Sequence, residues 1–238
     1  MIRFFGAKLG FVFASILMFS SSAIAKPLLV VTEFSPPYQT LTNDKVGGQA
    51  TDVVRKILDA ANLDYKIEMY PWARAYNFAS NRNDVLIYSI AKTPERLAHF
   101  HWIAPVYEFK PYFVGLKSRS ELSLRNMEDA KGYIVAVQRL DFAHKYLESV
   151  GFEEGKNLVL TRSIVDSWHL LKNGKVDFVV DDLTYELQAN GETLETNKYR
   201  KFVPIKALHQ TTYLAANIDM PENVIRRLQK AAKNVKSF

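Results

Sequence analysis

The chain has 238 residues, 48% of them hydrophobic and 24% charged, with a formal net charge of +6 and no cysteine. It is long enough to bury one proper core or two modest ones, and it has to be stable without disulfides. The basic excess is small and dispersed, with no basic run of the kind that binds nucleic acid.

Residues 1–25 read as a secretory signal peptide. Arg3 and Lys8 form a positive n-region, residues 9–19 an apolar h-region, and Ala23-Ile24-Ala25 an A-x-A cleavage site. The mature chain is expected to begin at Lys26, and a lysine there offers no lipid-attachment thiol. Beyond that point no segment approaches the ~18 consecutive apolar residues of a membrane span. The expectation is a freely soluble protein of a Gram-negative periplasm.

Strand-like and helix-like segments then alternate. Residues 27–32 read as a buried strand. Residues 51–61 read as a helix, with Val53, Val54, Ile57, Leu58 and Ala61 on one face and Thr51 as N-cap. Residues 65–69 are a strand and 71–79 a short helix with Pro71 at its first position. Residues 84–89 are a strand. A second set follows: strands at 112–116 and 133–137, a helix at 141–150 capped by Asp141, a strand at 157–160, a helix at 164–171, a strand at 177–180 and a helix at 183–188. A strand at 211–215 and a helix at 221–235 close the chain. Such alternation argues for parallel α/β sheets.

The stretch Ser89-Ile-Ala-Lys-Thr-Pro-Glu-Arg96, continuing to Phe100-His-Trp-Ile-Ala-Pro-Val-Tyr107, carries the clearest chemistry. It leaves the end of an apolar strand, where open α/β sheets bind ligands. It supplies a hydroxyl at Ser89 and, at Arg96, a guanidinium fork that matches a carboxylate bidentately. Taken by itself, Arg96 reads equally well as a surface residue paired with Glu95 or Glu108.

This passage resembles the signature of the family 3 periplasmic solute-binding proteins, the polar amino-acid receptors of ABC importers. In that family a strand runs into a serine, then T-x-x-R, then an F-S-x-P-Y-like passage; here these are Ser89, Thr93-Pro-Glu-Arg96 and Trp102-Ile-Ala-Pro-Val-Tyr107. The resemblance spans residues 28–235. It implies an α/β, two-lobed periplasmic binding protein (type II-like), each lobe a mainly parallel sheet flanked by helices. Lobe 1 would hold residues 27–109 and 211–238, and lobe 2 residues 112–205. Two hinge crossovers would lie at 108–111 and 206–210, as suits closure of two rigid bodies over a ligand.

The resemblance also implies a site. Phe34 in Glu33-Phe-Ser-Pro-Pro-Tyr38 and Trp72 in Pro71-Trp-Ala-Arg74 correspond to two aromatic walls. Arg96, helped by Ser89, would grip an α-carboxylate. Gly174-Lys-Val-Asp-Phe-Val-Val-Asp-Asp182 resembles the family's G-x-x-D-A-x-x-x-D segment, whose last aspartate accepts the ligand's ammonium; the match is Asp182, with Asp181 as the neighbouring alternative. Two departures stand out. Ala91 replaces a second hydroxyl, and Val137-Gln-Arg139-Leu140-Asp141 replaces a Q-G-S/T passage. Asp141 there would repel a ligand carboxylate unless Arg139 neutralised it, so a ligand with an extra cationic or polar group, or a modified amino acid, fits the chain at least as well as a standard one.

No catalytic nucleophile motif, P-loop, Rossmann fingerprint or metal-ligand spacing occurs; His99 and His101 read as partly buried aromatics, and no cofactor or metal is expected. The expected activity is binding without turnover of a small, amino-acid-like solute, by a monomer that delivers it to ABC importer subunits. The alternatives are an enzyme on the same scaffold, resembling cyclohexadienyl or arogenate dehydratases with Glu33 or Asp141 as general acid, and a ligand-binding partner of a membrane sensor.

Overall fold

The computed structural model describes residues 26–182, 187–189, 192–193 and 198–235. Its elements run β1 (Leu28–Thr32), β2 (Thr40–Thr42), β3 (Lys45–Gly47), α1 (Gln49–Ala60), β4 (Tyr65–Met69), α2 (Trp72–Asn81), β5 (Val85–Ala91), β6 (Phe100–Phe109), β7 (Tyr112–Leu116), β8 (Val135–Gln138), α3 (Phe142–Ser149), β9 (Leu158–Thr161), α4 (Ile164–Lys172), β10 (Phe178–Asp181), β11 (Leu187–Ala189), β12 (Glu192–Thr193), β13 (Tyr199–Pro204), β14 (Gln210–Asn217) and α5 (Glu222–Ala232). Among the described residues no helix is long and apolar enough to cross a membrane.

Two five-stranded sheets dominate, in the orders β4-β1-β5-β14-β6 and β13-β7-β10-β8-β9. In each, four strands run one way and one is reversed: β14 is antiparallel to both β5 and β6, and β7 to both β10 and β13. The reversed strands are the two that receive the chain after it crosses between sheets. The crossovers themselves lie side by side, tied by a hydrogen bond from the Ile205 amide to the Pro111 carbonyl at 2.9 Å.

Each sheet is covered on both faces, which is why its central strands are continuously apolar. In β1, consecutive Val30 and Val31 are both fully buried. Val30 packs with Val54, Ile57 and Leu58 of α1 and Leu228 of α5, and Val31 packs on the opposite face with Trp72, Ala75 and Ala79 of α2. The second sheet repeats the arrangement. Val135 and Val137 meet Leu147 of α3, while Ala136 meets Trp168 and Leu171 of α4.

Two expectations need correction, and two strands were not foreseen. Residues 183–188 were expected to be helical, but Leu187–Ala189 is a strand paired antiparallel with β12, and residues 183–186 lie outside the described ones. Helix α1 begins at Gln49, capped at Gly48, so Thr51 sits inside the first turn. Its hydroxyl donates to the Gly47 carbonyl at 2.6 Å and meets the Tyr88 hydroxyl at 2.8 Å. Strand β13 has no apolar run to announce it, because it is an edge strand with Arg200 and Lys201 exposed. The aromatic run at Phe100–Phe109 is itself a strand, and Pro105 is tolerated there because β6 is also an edge.

Candidate functional site

The carboxyl ends of β1, β5, β8 and β10, with the turns that follow β4 and β9, converge on one cavity of about 60 Å³ between the sheets. Glu33 and Ser35 follow β1, Trp72 opens α2, and Ser89 and Ala91 come from β5. Gln138 ends β8, Asp141 caps α3, Ile164 opens α4 and Asp181 ends β10; all line the cavity.

Ser89 enters it through a bulge. Strand β14 pairs Tyr213 with Ile90 and Leu214 with Tyr88, skipping Ser89, whose φ is 64°. The bulge takes Ser89 out of the ladder, and its Oγ is buried with no hydrogen-bond partner among the described residues. Beyond the strand, Thr93 begins a 3₁₀ turn, Pro94–His99, that carries Arg96 back under the cavity. Arg96 is only 7% exposed. Its guanidinium lies 5.2 Å from the Trp72 ring centre and 5.1 Å from that of Tyr76, and it donates to the Ala91 carbonyl at 3.3 Å.

Opposite stands an excess of carboxylates. Glu33 and Asp141 keep some accessible surface on the cavity side and are otherwise surrounded by protein. Burial pushes Glu33 up to about 8, against the pull of a hydrogen bond from Gln138. Burial also lifts Asp141 to about 6, although its Oδ1 accepts the His144 amide at 2.7 Å and Arg96 lies nearby. Asp181 is pushed up by burial and then by the charge of Asp182, although Trp168 Nε1 donates to it at 2.7 Å. Among the described residues that line the cavity, Arg96 is the one cation.

Contacts between the sheets close the cavity. Gln138 Nε2 donates to Glu33 Oε2 at 2.5 Å, Trp72 Nε1 to the Leu140 carbonyl at 3.1 Å, and the Tyr38 hydroxyl to Asp182 Oδ2 at 3.3 Å. Phe109 and Phe142 meet edge to face with centres 5.6 Å apart. Leu140 holds its carbonyl toward Trp72 from a left-handed turn, φ 63°, while its amide donates to His144 Nδ1 at 3.1 Å.

The structure thus brings Trp72, Ser89, Arg96 and Asp141 together. Three expected residues fall elsewhere. Phe34 lies against the second sheet's Trp168 cluster and lines a neighbouring groove with Leu41, Met69 and Tyr70. In extended chain alternate residues face opposite ways, so the side chains flanking Phe34, Glu33 and Ser35, take the cavity. Arg139 is exposed and pairs with Glu154 at 2.8 Å, leaving Asp141 without its help. Asp182 is buried and accepts from Tyr38 of the first sheet, while Asp181 lines the cavity. The lining residues that sequence reasoning did not assign to the ligand include Glu33, Gln138, Tyr107, Phe109 and Phe142.

The sequence profile of the "Bacterial extracellular solute-binding proteins, family 3" matches residues 28–156, from β1 to just beyond α3. The chain belongs to this family. No curated protein sequence matches it significantly. Among solved structures, a histidine kinase sensor domain with similarity to periplasmic binding proteins is 19% identical, with a TM-score of 0.75 over 87% of this chain and 89% of that one. The arginine-, lysine-, histidine-binding protein ArtJ of Geobacillus stearothermophilus is 20% identical, TM-score 0.73, over 88% and 89%. An arginine third transport system periplasmic binding protein of Legionella pneumophila is 20% identical, TM-score 0.70, over 87% and 92%. These likenesses establish the two-lobed binding-protein fold, and the cavity of this family 3 member lies between its two sheets.

Proposed function

We propose that this family 3 protein is a periplasmic receptor that closes its two lobes on a basic amino acid and presents it to an ABC importer. The observation that carries the reading is the composition of the cavity wall: Glu33, Asp141 and Asp181 face a single cation, Arg96. An enclosed carboxylate excess favours a ligand with net positive charge. Arg96 would take the α-carboxylate, with the unpartnered Ser89 Oγ beside it, and Asp181, backed by Asp182, the α-ammonium. Glu33 and Asp141 remain for the side-chain cation. Binding of basic amino acids by two of the similar proteins named above agrees with this assignment. Residues 1–25 would be removed on export. Residues 27–109 with 211–238 would form one lobe and 112–205 the other, hinged where Ile205 meets Pro111.

Calorimetry and thermal shift with L-arginine, L-lysine, L-histidine, L-glutamine and L-glutamate test the reading. Basic amino acids should bind and raise the melting temperature, and L-glutamate should not. Binding of L-glutamate in preference to all three basic amino acids would refute it. A dehydratase-like enzyme is the second reading, favoured by Glu33 as an enclosed carboxyl able to donate a proton near neutrality. Recovery of unchanged solute after long incubation supports the receptor, and a new product supports the enzyme.

A further inference from the structure

We infer that protons and a cationic ligand are alternative closing agents for this cleft, so that capture of the ligand expels protons. The inference rests on the reading of the cavity as a basic-amino-acid site and adds how that site is regulated. Its basis is geometric. Glu33 of the first sheet meets Gln138 of the second, Tyr38 of the first meets Asp182 of the second, and Asp141 and Asp181 of the second line the same cavity, so opening the lobes would part these groups.

The charged and titratable groups around Glu33 come from every side. Arg96 lies on the turn after β5, Tyr107 on β6 and Asp141 at the start of α3; Asp181 and Asp182 end β10. Tyr38 donates to Asp182 and stacks on Tyr107 with ring centres 3.8 Å apart. His144 is engaged with the Leu140 amide, and Arg139 with Glu154. Among the described residues that line the cavity Arg96 is thus the one cation, and it cannot balance Glu33, Asp141 and Asp181 together. The closed, ligand-free cleft must hold protons on some of them.

The sign follows directly. Each carboxyl holds its proton more tightly in the enclosed cavity than in water, at about 8 against an ordinary 4.5 for Glu33 and about 6 against 3.8 for Asp141, burial being the main cause, and opening the lobes would return part of that surface to water. Closure without ligand therefore takes up protons, is favoured at acid pH and is progressively opposed as pH rises through those values. A ligand ammonium or guanidinium supplies the same neutralisation. It takes the proton's place and releases it to solvent.

Two measurements on the mature protein test this. Small-angle scattering of the ligand-free protein should give a smaller radius of gyration at about pH 5.5 than at about pH 8.5. Glu33→Gln, a neutral stand-in for the protonated acid that keeps a partner for Gln138, should shrink the difference. Titration of L-arginine at about pH 7 in phosphate and in Tris, buffers of different ionisation enthalpy, should show release of about one proton per ligand, with affinity rising up to about tenfold per pH unit between about 6 and 8. Equal heats in the two buffers, or a radius indifferent to pH, would overturn the exchange and leave the receptor reading standing. Absence of binding by L-arginine, L-lysine and L-histidine at every pH would refute both.

Discussion

Arg96 offers the sharpest perturbation. In Arg96→Met the side chain keeps its apolar stem between Trp72 and Tyr76 but loses the guanidinium that faces the cavity. Two cation–π contacts, with the charge 5.2 and 5.1 Å from the ring centres, disappear. At about 0.5–2 kcal/mol each they are partly offset by release from the cost of burying the ion. The hydrogen bond to the Ala91 carbonyl is long, 3.3 Å, and adds little. The ligand-free melting temperature should therefore shift by no more than about 5 °C. Binding should suffer far more. If Arg96 holds the ligand carboxylate as proposed, the lost partner lines an enclosed cavity, where truncating one member of a charge pair costs about 2–5 kcal/mol. That is a loss of roughly 30-fold to several thousand-fold for L-arginine by calorimetry. Arg96→Lys should recover only part of the loss, since a point charge does not reproduce the fork. A dissociation constant for Arg96→Met within threefold of wild type would refute the assignment of Arg96 to the ligand.

Three other outcomes are expected. Trp72→Phe keeps a ring over Arg96 but removes the donor to Leu140; a net cost of about 0.5–1.5 kcal/mol should weaken binding about two- to twelvefold, with scattering showing more open molecules, and unchanged scattering and affinity would deny the latch. Leu58→Ala empties a fully buried site between α1 and the first sheet and should cost about 2–5 kcal/mol in urea denaturation; a loss under about 1 kcal/mol would contradict the packing. Asp84, held by Arg82 and Lys26 at 3.0 Å each, is pulled from 3.8 down to about 2, chiefly by the Arg82 hydrogen bonds. Its stabilising effect is present above its ordinary value and is lost as pH falls through the lowered one, so Asp84→Asn should be less stable than wild type near neutrality and indistinguishable from it below about pH 2. A stability gap that persists there would show that the ion pairs are not the cause.

Much of the fold was legible because burial on both sheet faces writes itself as apolar runs. Leu29-Val30-Val31 and Val85–Ala91 could hardly be anything but inner strands. Edge strands carry no such run, and β13 was missed for that reason. At the site, Trp72, Ser89, Arg96 and Asp141 were singled out through the family resemblance, Arg96 also because it follows a strand and Asp141 because it opens a helix. What stayed hidden depends on the partner surface. The serine at position 89 is plain, but its left-handed backbone arises only from pairing with Tyr213 and Leu214, more than a hundred residues on. Arg139 stands two residues from Asp141, yet Glu154 takes it. Glu33 was named only as a candidate general acid, and the partner that meets it, Gln138 of the other sheet, stands more than a hundred residues away.

Strand β14 lies between β5 and β6, although residues 112–204 separate it from them in sequence. A ribosome that has produced the first hundred or so residues has therefore made two neighbouring strands with a strand-wide gap between them. Both would expose unpaired backbone until the chain's last quarter emerges. The second sheet uses one uninterrupted stretch and needs no such wait. Assembly order is thereby inverted: the later-made half is free to fold first, and the earlier half is completed by a late insertion of high contact order. A released fragment truncated after residue 205 should expose a sticky, protease-sensitive amino-terminal half beside an already resistant second sheet.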